Sequence, residues 1–373
     1  MRIAHVIATF PPRIGGMGKV AHDECRRLVE RGHEVTVFTL NYGERSVMSD
    51  SDEERSPASF GVVRMKPWIR GGDAGWVPSL YFKLKGFDIV HLHYPWYGGA
   101  EWALLAKLLR KQKYVVTYHM DAAPQKWYQR VVRAVYDTFL AGSILARAER
   151  VIVIDKEHFQ DSRFGKMLDP KKVVELANPI DTDLFCPATP VGQGDKKNLL
   201  FVGNLLPVKR LDLLLTALAL LPSDVVLTVV GGGYAEESLK FLASQLNIFD
   251  RVTFVGSLSP EKVAEYYRGA LVTIIPSDAE SFSLVALESL ATGTPVIASD
   301  IIGIRGRIVN GVDGFLFAPG SVESLVEKIQ KMLQLTTDER RKMGQAGREK
   351  VLEKYSLEEH VVSLEKIYML AMK

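Results

Sequence analysis

The chain has 373 residues, 47% hydrophobic and 24% charged, long enough for two globular domains with separate cores and unlike disordered or fibrous sequences. Its two cysteines, Cys25 and Cys186, lie far apart without CxxC or Cys/His spacing, which excludes a disulfide framework and a cysteine-based zinc site. The net charge of +3 divides unevenly: residues 1–180 carry 27 Lys+Arg against 20 Asp+Glu, net +7, and residues 181–373 carry 20 against 24, net −4.

In chain order, the first half alternates short apolar runs with helical patterns. Strands are predicted at 3–8, 34–39, 61–65, 89–91, 114–118 and 151–154. Helices are predicted at 19–31, 100–111 and 125–146. Such a βαβ series implies a parallel sheet. Between the first strand and first helix lies Arg13-Ile14-Gly15-Gly16-Met17-Gly18-Lys19-Val20, whose glycines allow backbone to approach a phosphate or sugar at a helix start. It is not a P-loop, which would need Gly at Arg13 and Ser or Thr at Val20. A plain tight strand–helix turn is the other reading of these residues.

His91 and His93, two residues apart, have no third histidine or carboxylate near them in sequence, so they read as strand-end side chains and no metal is expected. His119 follows the apolar strand 114–118. Lys107, Arg110, Lys111 and Lys113, then Lys126, Arg130 and Arg133 among Trp127, Tyr128 and Phe139, form a basic amphipathic pattern. It fits either a solvated basic side of a packed helix or an anionic membrane surface. No nucleic-acid motif accompanies it.

A second series begins with strand 198–202 and continues through helix 211–220, strand 225–230, helix 235–246, strand 252–254 and helix 260–268. Pro, Gly and polar residues at 187–195 read as a linker region. Strand 271–275 is closed by Pro276, and helix 283–291 is stopped by Gly293 and Pro295 before strand 296–298. Glu280 therefore falls in the loop at the strand's carboxyl end, and Glu288, eight residues on, points inward from the helix. In open α/β sheets that edge is where ligands bind, and the N–H groups of Phe282, Ser283 and Leu284 offer an anion cradle. Asp50-Ser51-Asp52 and Asp181-Thr182-Asp183 look like D-x-D metal motifs, but neither follows an apolar strand. Ser356-Leu357-Glu358-Glu359 reads as a capping box that opens a last helix. No apolar run reaches the ~20 residues of a membrane span, and no signal peptide is evident at the N-terminus, so a cytoplasmic protein is expected.

The Glu280/Glu288 segment resembles the E-x7-E signature of retaining nucleotide-sugar glycosyltransferases of family 4, the glycosyl transferases of group 1. Other pieces match in order. Residues 13–16 resemble their double-glycine loop, 115–119 their V-x-T-x-H segment and 178–185 their interdomain crossing segment. Residues 201–210 resemble F-V-G-R-L-x-x-x-K-G, with Asn204 where arginine is usual. Residues 231–234 and 255–258 resemble the turn and the base-lining loop. Gly306 stands where a glutamate is more frequent.

The resemblance implies the GT-B fold, two Rossmann-like domains facing across a cleft. The first would span 1–177 and bind the acceptor, with the last helix, about 356–373, returning to it. The second would span 178–355 and bind the nucleotide sugar. It also implies roles for individual residues. His119 and Glu280 would orient the transferred sugar and Lys209 would stabilise the leaving diphosphate. Glu288 would hold the ribose, while Gly15, Gly16, Asn204, Arg210, Gly232, Val255, Ser281, Phe282, Ser283 and Leu284 would complete the donor site. The implied reaction is metal-independent, retaining hexosyl transfer without a cofactor. The donor would be a UDP- or GDP-sugar and the acceptor a glycan, a lipid or a small molecule. The basic first half, not the resemblance, adds the expectation of a peripheral position on the inner face of the cytoplasmic membrane. Alternatives are a catalytically silent sugar-nucleotide-binding partner of another transferase and a nucleotide-sugar epimerase.

Overall fold

The computed structural model describes residues 1–12, 16–42, 54–55, 60–71, 74–119, 134, 136–160, 162–187, 197–280 and 282–373. The chain divides into two compact units, Met1–Pro179 with Leu357–Lys373, and Ile180–Ser356.

The first unit is built on an eight-stranded sheet in the order Val173–Glu175, Arg150–Val153, Tyr114–Tyr118, Ile89–Tyr94, Arg2–Val6, Glu34–Leu40, Gly61–Met65 and Glu54–Arg55. All neighbours pair in parallel except the last pair, which is antiparallel. Because both faces are covered, the strands read as near-continuous apolar runs, and successive residues feed opposite cores. Ala4 and Val6 join Leu92, Val116 and Val151 on one side. Ile3 and Ile7 join Ile89, Val115 and Ile152 on the other, where Cys25 and Leu28 of helix Gly16–Glu30 and Val361 and Leu364 of helix Leu357–Met372 pack. The last helix therefore belongs to the first unit's core. Gly18 lets its helix approach the chain after the first strand, since a Cβ there would lie 2.9 Å from the Thr9 carbonyl oxygen.

The expected helix over 125–146 lies largely outside the described residues. Its described end is a π-helical turn, Asp137–Ala141, followed by Gly142–Arg147. A small hairpin, Ile69–Gly71 with Ala74–Trp76, and strand Val173–Glu175 were not anticipated, being too short to show periodicity.

In the second unit a six-stranded parallel sheet runs Val252–Gly256, Val225–Val230, Lys197–Val202, Val272–Ile275, Val296–Ser299 and Gly314–Phe317. From the central strand Lys197–Val202 the chain builds outward on one side to Val252–Gly256, then returns to the other side at Val272–Ile275, so the order reverses between these two central strands. The crevice at the carboxyl ends next to such a switch point is the ligand position of open α/β sheets. A capping box opens helix Thr337–Lys354, where Thr336 and Glu339 satisfy each other's backbone N–H groups, and the last helix begins at Leu357, directly after Ser356.

Candidate functional site

The carboxyl edge of the second unit's sheet is made by loops that need glycine. At Gly231, φ is +129° and a Cβ would meet the Gly203 carbonyl oxygen at 2.0 Å, while one at Gly233 would meet the Leu205 oxygen at 2.5 Å. This closeness lets main-chain bonds knit three loops together: Gly203 N donates to Val230 O (3.0 Å), Leu205 N to Gly232 O (3.0 Å) and Gly231 N to Gly256 O (2.8 Å). Val255, half-buried, is the last residue but one of the flanking strand Val252–Gly256. Asn204 stands exposed at the rim.

Beyond this rim a single 3-10 turn, Pro207–Lys209, presents Lys209, and Arg210 adopts the left-handed region at φ +51° before helix Leu211–Ala219 begins. Lys209 Nζ donates to Glu280 Oε1 at 2.7 Å, and Ser277 Oγ donates to the same oxygen at 2.8 Å. Two residues 71 positions apart are thus joined, with Glu280 the more buried partner at 12% side-chain exposure against 25% for Lys209. The guanidinium of Arg210 is engaged by Asp212 and Asp278 at 3.0–3.2 Å, and the hydrogen bond to Asp212 is the leading reason its pKa lies above the usual arginine value. Asp278 N also donates to Val208 O, tying the Glu280 loop to the lysine turn. Gly303 completes the wall, because any Cβ there would overlap the Glu280 carbonyl oxygen at 1.8 Å.

Helix Leu284–Ala291 starts from Ser283, a non-glycine residue held at φ +56°. Its Oγ is buried without a hydrogen-bond partner, and the N–H groups of Phe282, Ser283 and Leu284 have no backbone carbonyl partner among the described residues. Phe282 is buried, with the Arg307 guanidinium 4.6 Å from its ring centre. Glu288 is buried on the same helix, where its Oε2 accepts from the Tyr267 hydroxyl at 2.9 Å. Burial first, and then the Glu288 charge, pushes that phenol well above its ordinary range. Ser289 Oγ donates to Thr294 O (3.0 Å) and bonds Thr273 Oγ1 (2.7 Å), fastening the helix to its strand. The backbone explains Gly306: it lies at φ +80°, a region that favours glycine over glutamate.

In the first unit His119 follows strand Tyr114–Tyr118, its N–H donating to Tyr94 O at 3.0 Å. Its ring bonds His93 (Nε2 to Nδ1, 3.0 Å), and His93 bonds His5 (Nε2 to Nδ1, 2.9 Å). Burial lowers the pKa of His119 and of His5 to about 4, against the raising effect of Glu24, and burial likewise holds His91 and His93 well below the usual imidazole range. Near neutrality these rings are uncharged. The sequence reading that left His91 and His93 without a third ligand fails in three dimensions, because strand pairing and helix packing bring His5 and Glu24 to them. Gly16 opens the first helix.

The structure therefore brings Glu280, Lys209 and Arg210 together and sets Phe282, Ser283, Leu284 and Glu288 on the adjoining helix start. Arg13, Gly15, Ser281, the basic set at 126–133 and Asp50-Ser51-Asp52 lie outside the described residues. Tyr267 and Ser277, which hold the two carboxylates, carried no signal in the sequence beyond their side-chain chemistry.

Residues 189–350 match the family model for glycosyl transferases group 1, and residues 14–184 match that for glycosyltransferase family 4. The D-inositol 3-phosphate glycosyltransferase of Geodermatophilus obscurus is 29% identical over 406 residues, covering 96% of this chain and 85% of that one. An uncharacterized glycosyltransferase of Methanocaldococcus jannaschii is 27% identical over 401 residues, covering 100% and 99%. Among solved structures, the sucrose-phosphate synthase of Thermosynechococcus elongatus superposes with a TM-score of 0.78 at 24% identity, covering 99% of this chain and 98% of its own. HepE of Anabaena in complex with UDP gives 0.77 at 17%, covering 98% and 99%. These low identities speak for the fold. The two family models together span most of the chain and agree with both kinds of relative, so the protein belongs to the glycosyl transferases of group 1 and has the GT-B fold.

Proposed function

We propose that the protein is a retaining hexosyltransferase that takes its sugar from a UDP- or GDP-sugar and gives it to a hydroxyl of a glycan, a lipid or a small molecule. The observation that carries this reading is the Lys209–Glu280 pair beside the Ser283 helix start, at the carboxyl edge of a parallel sheet. Relatives support the donor class, since HepE of Anabaena was solved with UDP and with UDP-glucose. Lys209 and the amides of residues 282–284 would meet the diphosphate, supplying the charge stabilisation that a divalent cation provides elsewhere. Glu280, freed from Lys209 as the lysine turns to phosphate, would accept hydrogen bonds from sugar hydroxyls, and Glu288 from the ribose. Arg210, already facing two carboxylates, would serve to hold the loop. His119 would donate to the transferred sugar.

In the transfer step the bond from the anomeric carbon to the diphosphate oxygen breaks. The acceptor oxygen bonds to the same face of that carbon, and the acceptor's proton passes to the departing phosphate. Configuration is thereby retained without a second carboxylate acting as nucleophile.

The test is a panel of UDP- and GDP-sugars. One donor should raise the melting temperature of the protein and be hydrolysed or transferred, with the anomeric configuration of the product kept by NMR. A donor that binds and is never turned over, whatever the acceptor, would favour the catalytically silent partner, a reading motivated by the exposed Asn204 at the position where arginine is usual. An epimerised sugar nucleotide would point to an epimerase.

A membrane-bound acceptor is supported by one further feature. Trp68, Ile69 and Phe82 are each more than 70% exposed, and Trp68 borders a cavity of about 480 Å³ also lined by Arg64, Lys66 and Lys83. Apolar side chains among cations suit an anionic interface.

A further inference from the structure

We propose that the first unit contains a binding site for one zinc-class divalent ion, ligated by His5 Nδ1, His93 Nε2 and Glu24 Oε2. The three atoms come from two neighbouring strands and the first helix, and all three side chains are almost wholly buried. They are 2.9 Å (His5 to His93), 3.9 Å (His93 to Glu24) and 4.0 Å (His5 to Glu24) apart. The circle through three points so spaced has a radius of about 2.1 Å, which is the bond length zinc makes to imidazole nitrogen and carboxylate oxygen. A nitrogen-and-oxygen donor set of this kind selects zinc, cobalt or nickel over the all-oxygen ions calcium and magnesium.

Hydrogen bonding at the site points the same way. Glu24 Oε2 is buried with no hydrogen-bond partner, a costly state for a carboxylate oxygen. Its neighbours across the gap are two imidazole nitrogens facing each other, so without a cation one proton must be shared between them and nothing reaches the oxygen. A divalent ion satisfies all three atoms at once. Each proposed ligand is also anchored at its other end. His93 Nδ1 bonds His119 Nε2 at 3.0 Å, Glu24 Oε1 bonds His360 Nε2 at 2.9 Å, and His5 Nε2 lies 3.5 Å from the Tyr368 hydroxyl. Outer partners of this kind orient metal ligands and fix their tautomers. His91 lies in the same cluster, but its two nitrogens face Thr117 and Tyr368 at 2.7 Å, so it supports the site from outside and the fourth position is left to water.

The ion would have one consequence for His119. With the metal on Nε2, His93 carries its proton on Nδ1 and donates to His119 Nε2, which leaves Nδ1 as the protonated nitrogen of His119. The ion takes no part in the transfer step proposed above; it would staple strands and helix and set one tautomer.

The test uses untagged full-length protein expressed in zinc- or cobalt-supplemented medium, passed through gel filtration and measured by elemental mass spectrometry. About one equivalent of metal per chain is expected, falling at least tenfold in Glu24→Gln and His93→Gln and unchanged in His22→Asn, which lies outside the cluster. If those variants fail to fold, the wild-type cobalt protein decides: its proton NMR spectrum should show a pair of paramagnetically shifted, exchangeable imidazole N–H signals. Less than a tenth of an equivalent in the wild type under both metals, undiminished metal in the folded variants, or a cobalt spectrum without that imidazole pair would overturn the proposal.

Discussion

At the scale of single residues, the 2.7 Å contact between Lys209 and Glu280 holds two charges side by side, each ready to exchange its partner for a ligand group of opposite character. Removing either leaves the other half-buried and uncompensated, so variants have to be read with a stability measurement beside the kinetic one. Lys209→Ala and Glu280→Gln should each lower kcat by about 10²- to 10³-fold, the scale of losing one charge-stabilising contact in a transition state. Their melting temperatures should stay within a few degrees of wild type. Turnover that survives both substitutions at near wild-type rate would refute the assignment. Gly303 gives a sharper steric test. A methyl group there overlaps the Glu280 carbonyl oxygen, so Gly303→Ala should displace the loop and weaken donor affinity by calorimetry, while Gly306→Ala, which meets open space but strains a left-handed φ, should cost only about 1 kcal/mol.

At the scale of elements, the last helix is the clearest case of sequence-distant parts sharing a core. Val361, Leu364, Ile367 and Tyr368 are buried with Ile3, Ala21, Cys25 and Leu28. Leu364→Ala should therefore destabilise the first unit by about 2–5 kcal/mol, checked by urea denaturation. Outside that core, Arg31 donates to both oxygens of Glu365 at 2.8 Å and to Glu358 at 2.7 Å, and His33 bonds Glu365 at 2.8 Å. These pairs are partly exposed, so solvent screening keeps each of them weak. The Arg31 hydrogen bond is the main reason the Glu365 carboxyl sits below its usual pKa. A depressed acid contributes stability above its unfolded value and loses it as pH falls through the folded one. The difference in stability between wild type and Arg31→Ala should accordingly be present at neutral pH and vanish in acid below the carboxylate range. A difference that persisted there would mean Arg31 acts by packing alone. Periodicity marked most of these helices and strands because each buries one continuous stripe or both faces. The hairpin at 69–76 and the strand Val173–Glu175 are too short for any period to show, and their pairing is decided by the elements they lie against.

For the whole molecule, two units with separate cores and a last helix returned to the first predict an asymmetric response to truncation. Ending the chain after Ser356 removes a wall of the first unit's core and leaves the second intact. Limited proteolysis of that truncated protein should degrade residues before 180 and spare a fragment near 180–356; uniform survival or uniform loss would contradict the division. Charge supplies a second prediction at this scale. The +7 of residues 1–180, with exposed Trp68, Ile69 and Phe82, should retain the protein on anionic vesicles more than on neutral ones at low salt, and equal retention would remove the membrane surface from the reading. Part of that charge is already spent, since Lys107 and Lys113 pair with Glu149. No helix among the described residues is long and apolar enough to cross a membrane.

The sequence by itself determined the alternation of strand and helix, the two series that become two sheets, and the local chemistry around Glu280, Lys209 and Ser283, because each of these is written in a few consecutive residues as period, turn composition or spacing. Only the tertiary structure decided which distant side chains meet. Ser277 and Tyr267 come to hold the two glutamates, Arg210 spends its charge on Asp212 and Asp278, and His5, Glu24, His93 and His119 converge in one buried cluster. Those meetings depend on parallel strand order and helix docking, which join residues up to hundreds of positions apart and leave no local pattern behind.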